Sequence, residues 1–202
     1  MIEIVKDIDL FGEVDKYDVT LIGTNLYMSM GHGIQLDVML NYPYVQEKNM
    51  LTKYGDNNKL GTILECSSEN EPTFVLCYIT KGYNFRPDIQ KDYLEYDALE
   101  KCLMLANVMY AGKNVCSPML GASRFDGLGD KERIMEIYHR SIKDFNLTIY
   151  DYEQKSRGEK LAEIRRRELE VKEKDYDEYR RMVAERKRIA EIRYNKNGHR
   201  RY

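Results

Sequence analysis

No two of the four cysteines, Cys66, Cys77, Cys102 and Cys116, share a C-x-x-C spacing, and each stands among apolar residues. That argues against a structural zinc site and against a disulfide framework. It fits reduced, mostly buried thiols. No apolar run approaches the ~20 residues needed to span a bilayer, and no signal-peptide pattern opens the chain, so a cytoplasmic protein is expected, without membrane contact. There is no internal repeat.

Charge is scarce in neither sign but is unevenly placed. Residues 1–154 hold 15 Lys/Arg against 24 Asp/Glu, whereas residues 155–202 hold 17 against 10. The formal net of −2 therefore hides an acidic body and a basic tail. The acidic body argues against non-specific nucleic-acid binding by the globular part, yet leaves room for one anionic ligand held by local dipoles. Two domains follow: a body over 1–154 and a charged helical tail over 155–202. From Lys155 to Arg193 the tail has no proline and one glycine, Gly158. Glu163/Arg167, Glu168/Lys172, Glu170/Lys174 and Asp177/Arg181 are helix-spaced pairs, each contributing about 0.2–0.5 kcal/mol. A heptad frame through Leu161, Ile164, Val171, Met182, Ile189 and Ile192 is interrupted by Glu168, Asp175, Glu178 and Glu185. Three readings stay open: a solvated helix, a helix that binds a protein partner, or a nucleic-acid arm carried by Arg165-Arg166-Arg167 and Arg186-Lys187-Arg188.

Periodicity in the body predicts strands at Ile2–Val5, Val19–Gly23, Leu60–Cys66, Thr73–Thr80, Val115–Met119 and Leu147–Tyr152. It predicts helices at Ile34–Tyr42, where Pro43 should stop the first, and at Tyr44–Tyr54, Tyr93–Ala111 and Asp130–Asp144. The alternation implies an α/β sandwich around a parallel or mixed sheet. Three glycine-bearing loops follow strands: Gly23-Thr24-Asn25 running into Gly31-His32-Gly33-Ile34; Ile79-Thr80-Lys81-Gly82; and Pro118 to Gly127. Such loops let backbone N–H groups approach a phosphate, and three at strand ends suggest a pyrophosphate ligand at one sheet edge.

These residues resemble the macro domain, a fold that binds ADP-ribose. Lys6-Asp7-Ile8 stands where that family has Gly-Asp-Ile/Leu. The Asn25 loop resembles its asparagine and glycine-rich loop, and Pro118 to Gly127 its second phosphate loop. Cys77-Tyr78-Ile79-Thr80-Lys81 looks like the branch of terminal ADP-ribose glycohydrolase and of bacterial antitoxins that remove ADP-ribose from DNA. That branch is similar in turn to yeast ADP-ribose 1″-phosphate phosphatase. The resemblance implies a macro-domain-like three-layer sandwich, with a mixed sheet between helices, followed by the charged helix.

The resemblance also implies roles. Asp7 would accept from the adenine amino group, beside Ile8. Asn25 would bind ribose hydroxyls or orient a water. Gly31, His32, Gly33 and Ile34 would meet the pyrophosphate, with His32 a candidate acid. Lys81, beside Thr80, would attack the anomeric carbon of the distal ribose. Gly121, Ala122, Ser123, Arg124 and Phe125 would complete the phosphate loop, Phe125 stacking on the distal ribose. Ser123 replaces the family's glycine. The family's catalytic aspartate falls on Phe125, leaving Asp126 one residue late. The expectation is a hydrolase releasing ADP-ribose from a modified macromolecule, without cofactor or metal, with catalytic candidates Lys81, Asp126, Asn25 and His32. A phosphatase acting on ADP-ribose 1″-phosphate, and a pure binder of ADP-ribose or a related signal, are the alternatives.

Overall fold

A computed structural model of the 202-residue chain describes residues 1–6, 8–82, 93–123 and 126–151. Asp7, Arg124, Phe125, segment 83–92 and residues 152–202 lie outside the described residues. The expectations for the adenine aspartate, the loop arginine and phenylalanine, and the tail helix fall there.

Strands β1 (Ile2–Lys6), β2 (Val19–Asn25), β3 (Ile63–Cys66), β4 (Phe74–Thr80), β5 (Asn114–Pro118) and β6 (Asn146–Asp151) form one sheet in the order β1-β6-β5-β2-β4-β3. Five strands run parallel, and β3 pairs antiparallel with β4 across the polar segment 67–73. β2 and β4 are buried along their whole length. That is why they read as near-continuous apolar runs.

Helices cover both faces. On one, α1 (Gly33–Asn41) and α2 (Pro43–Met50) bury Val38 and Val45 with Ile22, Phe74, Leu76 and Met30. On the other, α3 (Tyr96–Met109) and α4 (Lys131–Ser141) bury Leu99, Leu103, Ile134 and Ile137 against Leu21, Val75, Val115 and Ile149. The three-layer sandwich with a mixed sheet is therefore present. All four cysteines are buried with free thiols. Among the described residues no helix is long and apolar enough to cross a membrane.

Several boundaries differ from the sequence reading for local reasons. Pro43 ends α1 but also opens α2 at its first position, where its missing N–H costs nothing. α2 stops at Met50, short of Tyr54, because the Thr52 hydroxyl and N–H both bond the Asn49 carbonyl. α3 starts at Tyr96, after Tyr93 and Leu94 have donated their N–H groups to the Gly127 carbonyl. α4 begins after Asp130, whose carboxylate accepts the Arg133 N–H at 2.8 Å. Short helical turns at Leu10–Gly12 and Val14–Lys16, unforeseen from the sequence, bury Leu10 and Val14 under the α1 face.

The α4 helix also ties the sheet to the loop after β5. The Tyr138 hydroxyl, fully buried, accepts the Leu120 N–H at 3.1 Å. Tyr138→Phe leaves that donor orphaned and is expected to lower the unfolding free energy by about 1–3 kcal/mol. The measurement is a urea midpoint that falls with an unchanged slope.

Candidate functional site

The connections that leave β2 and β5 run to opposite faces, to α1 and to α4 respectively, and the same is true of β2 and β4, which leads to α3. Crevices therefore open at the carboxyl ends of β2, β4 and β5, the usual ligand position in an open α/β sheet. The three glycine-bearing loops all emerge there.

The loop after β2 is held from several sides. Asn25, buried, accepts the N–H groups of Tyr27 (3.0 Å) and Ser29 (3.3 Å) and donates to the Ser29 carbonyl (2.9 Å). Its amide is thus spent on shaping the loop, the ordinary turn-making use of asparagine. Met30 sinks into the α1 core as an anchor. Gln46 donates to the Met28 carbonyl at 3.0 Å and is steadied by Asn49, which accepts the buried Tyr78 hydroxyl at 2.8 Å. Gln35 reaches back from α1 to the Gly23 carbonyl at 2.7 Å. Beyond Met30, Gly31 and His32 are exposed, and His32 takes the N-cap position of α1 with Gly33 and Ile34 following. A Cβ on Gly31 would meet nothing in the chain, so no internal packing demands a glycine there.

The loop after β5 closes on itself. Gly129 donates to the Gly121 carbonyl at 2.8 Å, and Asp126 and Leu128 donate to the Ser123 carbonyl, both at 3.0 Å. Gly121 has φ +80°, and a side chain there would strike Leu94, around which the loop wraps. Ala122 and Ser123 stand half-buried at the rim.

Inside this ring sits Asp126, only 6% exposed. Its Oδ2 accepts the Gly121 N–H at 2.6 Å, while Oδ1 has no partner among the described residues. The carboxyl lies on the Cα of Gly23: a Cβ there would stand 2.8 Å from Oδ2, nearer still to Oδ1, and 2.8 Å from the Ile79 side chain. Gly23 is therefore required by close approach. Burial pushes the Asp126 carboxyl up from 3.8 to about 7, against the opposing pull of the Gly121 N–H.

The third loop begins at a register shift between β2 and β4, where Asn25 comes opposite Thr80 while Thr24 stays opposite Tyr78. Such bulges re-aim side chains at strand ends. The Ile79 carbonyl accepts the Glu95 N–H at 3.0 Å, and Thr80, buried, pairs with Leu94. Lys81 is 61% exposed, and its Nζ lies 2.7 Å from the Glu95 carboxylate. Glu95 was not among the sequence candidates; nor were Gln35, Gln46 and Asn49. Ile8 stands 46% exposed after β1. The structure thus gathers Asn25, Gly31–Ile34, Thr80, Lys81, Gly121–Ser123 and Asp126 at one sheet edge.

The buried carboxyl carries a pH signature. Its folded-state pKa is raised above the unfolded one, so the folded chain keeps a proton that the unfolded chain has lost between about pH 4 and 7. Relative to Asp126→Asn, the wild-type chain is expected to lose up to ~1.4 kcal/mol of stability per pH unit across that window and to level off above it. Urea unfolding of both chains at stepped pH is the measurement.

No protein-family model matches the sequence, and no curated protein does. Solved structures do. The chain superposes on the macrodomain of Thermus aquaticus DarG with TM-score 0.54 at 12% identity, covering 75% of this chain and 98% of that one. A macrodomain protein from Streptomyces coelicolor gives 0.52 at 17%, covering 76% and 100%. Thermosipho africanus DarTG in complex with ADP-ribose gives 0.55 at 16%, covering 77% of this chain and 43% of that one. At such identities the likeness is one of architecture: the body of this chain has the macrodomain fold.

Proposed function

We propose that the chain binds ADP-ribose at the carboxyl edge of its sheet and releases it from a modified macromolecule. The observation that carries the reading is the convergence of the three loops on the Gly23–Asp126 contact. The loop after β5 is thereby seated on β2, whose own loop carries Gly31–Ile34, and Lys81 follows the neighbouring strand β4. The fold's relative in complex with ADP-ribose supports the choice of ligand.

On this reading the pyrophosphate lies between Gly31–Ile34, at the N-terminal end of α1, and Gly121–Ser123. Backbone N–H groups and the helix dipole offset its charge there, where an acidic body would otherwise repel it. The distal ribose lies toward the ends of β2 and β4, with its anomeric carbon near Lys81. Lys81, held 2.7 Å from the Glu95 carboxylate, gives its proton up to water and attacks as the free amine. The new C–N bond forms as the bond to the aglycone breaks; the aglycone leaves with the bonding electron pair and takes a proton from solvent, and water then hydrolyses the adduct, freeing the sugar and the lysine. Asp126, beneath the loop, acts by holding Gly121 rather than by touching substrate. Asn25 acts by shaping the loop that carries Gly31 and His32.

Calorimetry with ADP-ribose, ADP and AMP tests the ligand: ADP-ribose is expected to bind most tightly, and equal weak binding of all three would overturn the reading. Lys81→Ala is expected to abolish turnover of ADP-ribosylated DNA or of a Glu-linked ADP-ribosyl peptide while leaving ADP-ribose affinity within a few fold. A nucleophile acts only in the transition state, whereas phosphate contacts dominate ground-state binding. Gly33→Glu is expected to block binding outright by setting a carboxylate against the pyrophosphate. Tight binding without turnover by the wild type would leave a binder; turnover surviving Lys81→Ala would remove lysine catalysis.

A further inference from the structure

One residue in the loop after β2 holds a backbone conformation that its side chain disfavours. Met28 has φ +54°, in the left-handed region, where a residue other than glycine is uncommon. The chain needs that reversal. It turns Ser29 back on Asn25, whose amide accepts the Ser29 N–H at 3.3 Å and donates to the Ser29 carbonyl at 2.9 Å. Met30, next in the chain, is 2% exposed and anchored in the α1 core, and Gly31 follows directly. A strained residue persists only where its surroundings hold it, and such residues gather at ligand clamps.

What holds Met28 comes from outside the loop. Its carbonyl accepts the side-chain amide of Gln46, a half-buried residue of α2, at 3.0 Å. Gln46 is not free to turn its amide round. Its Oε1 accepts from Asn49 Nδ2 at 3.4 Å, one turn along the same helix. Asn49 is fixed in its turn, because its Oδ1 accepts the Tyr78 hydroxyl at 2.8 Å, and both residues are fully buried. The donors therefore run in one direction, from the Tyr78 hydroxyl through Asn49 and Gln46 to the Met28 carbonyl. Each amide commits its oxygen to the member before it and its nitrogen to the member after. Such a head-to-tail chain strengthens each bond in it. A second arm braces the turn just before Met28. The Lys59 ammonium donates to the Leu26 carbonyl at 2.9 Å and to the Thr52 hydroxyl at 3.1 Å.

We infer that Gln46 is a positioning residue for ligand binding: by holding the Met28 carbonyl it keeps Met28 left-handed and so aims the backbone N–H groups of Gly31–Ile34. The ligand is that of the ADP-ribose reading, on which this role rests. The role itself falls to a helix residue outside all three glycine-bearing loops. Gln46 acts through one carbonyl, three residues before Gly31. Without that hold Met28 relaxes toward negative φ, and the run from Ser29 to Gly31 moves with it.

The test is calorimetry with ADP-ribose on the full-length chain, with Gln46→Glu as the first variant. That change keeps the size of the side chain and an acceptor for Asn49, but as a carboxylate it has no proton for the Met28 carbonyl. ADP-ribose is expected to bind about tenfold more weakly, the worth of one hydrogen bond. Adding Met28→Gly is expected to restore affinity to within about threefold of wild type, because glycine takes positive φ at no steric cost. Adding Met28→Ala instead is expected to restore nothing, since alanine shares the bias of methionine against that region. The comparison separates a held dihedral from a lost side-chain contact. Hydrogen exchange at the Tyr27 and Ser29 N–H groups, which Asn25 holds, needs no ligand. It is expected to quicken about tenfold in Gln46→Glu and to slow again when Met28→Gly is added. Unchanged affinity or unchanged exchange in Gln46→Glu overturns the inference, as does rescue by neither substitution at Met28 or by both equally. Failure of the wild-type chain to bind ADP-ribose overturns instead the reading that supplies the ligand, and the exchange rates then decide whether Gln46 holds the loop.

Discussion

One contact organises the functional edge of this protein: a buried carboxyl lying on a glycine backbone. Asp126 reaches from the loop after β5 to the Cα of Gly23 on the central strand, and its Oδ2 holds the Gly121 N–H. Without that hydrogen bond the loop would lose the tie across its ring. Without glycine at 23 the loop could not sit down on the sheet. The same loop encloses Leu94, whose neighbour Glu95 bonds the Ile79 carbonyl and meets Lys81. The loop after β5, the entrance to α3 and Lys81 are thus linked in one chain of contacts.

Such an arrangement is costly. A carboxyl 6% exposed, with one oxygen unpartnered, is held near its titration point at neutral pH rather than ionised in water. Buried groups of this kind are destabilising unless the surroundings fix them, and they concentrate at functional sites. Its neighbours do not relieve it. Cys77 on β4, beside Cys102 of α3, has its thiol pushed up first by that neighbour and by burial, and further by Asp126. Tyr138 on α4 is likewise pushed up, chiefly by burial. No cation among the described residues faces the carboxyl. Among the described residues the loop is therefore held by shape, by its backbone hydrogen bonds and by the Asp126–Gly121 bond, not by an ion pair.

The architecture was legible where it is periodic. Apolar runs marked β2 and β4 because both faces of those strands are buried, and the stripe Leu94, Ala98, Leu99, Cys102, Leu105, Ala106 and Met109 marked α3, although Leu105 and Met109 stand exposed and Leu103 takes the buried face instead. The site was legible only as loops. The Gly23–Asp126 contact joins residues about a hundred positions apart, and nothing in either local sequence announces it. Gln35 and Asn49 were not singled out, because polar helical residues ordinarily face solvent, yet each spends its amide inside, on the Gly23 carbonyl and on the Tyr78 hydroxyl. Glu95 was hidden because Tyr93–Glu95 looked like the first turn of α3, whereas Tyr93 and Leu94 bond the loop instead and leave Glu95 at the N-cap, facing Lys81.

Asn25 shows how the same residue can be read two ways from sequence and one way from structure. An asparagine at the end of a buried strand suits either a ribose contact or a turn. Here three hydrogen bonds to Tyr27 and Ser29 occupy both ends of its amide. Its influence on a ligand then passes through what it holds, the run to Gly31 and His32. That matters for how the edge could work. On the proposed reading the pyrophosphate end depends on backbone donors, which do not discriminate between esters of ADP-ribose. On the same reading the lysine end depends on side chains, Lys81 with Glu95, which do. On that reading affinity for the common part of the ligand and choice among its attached groups reside in different residues, the first on the loop that Asn25 shapes.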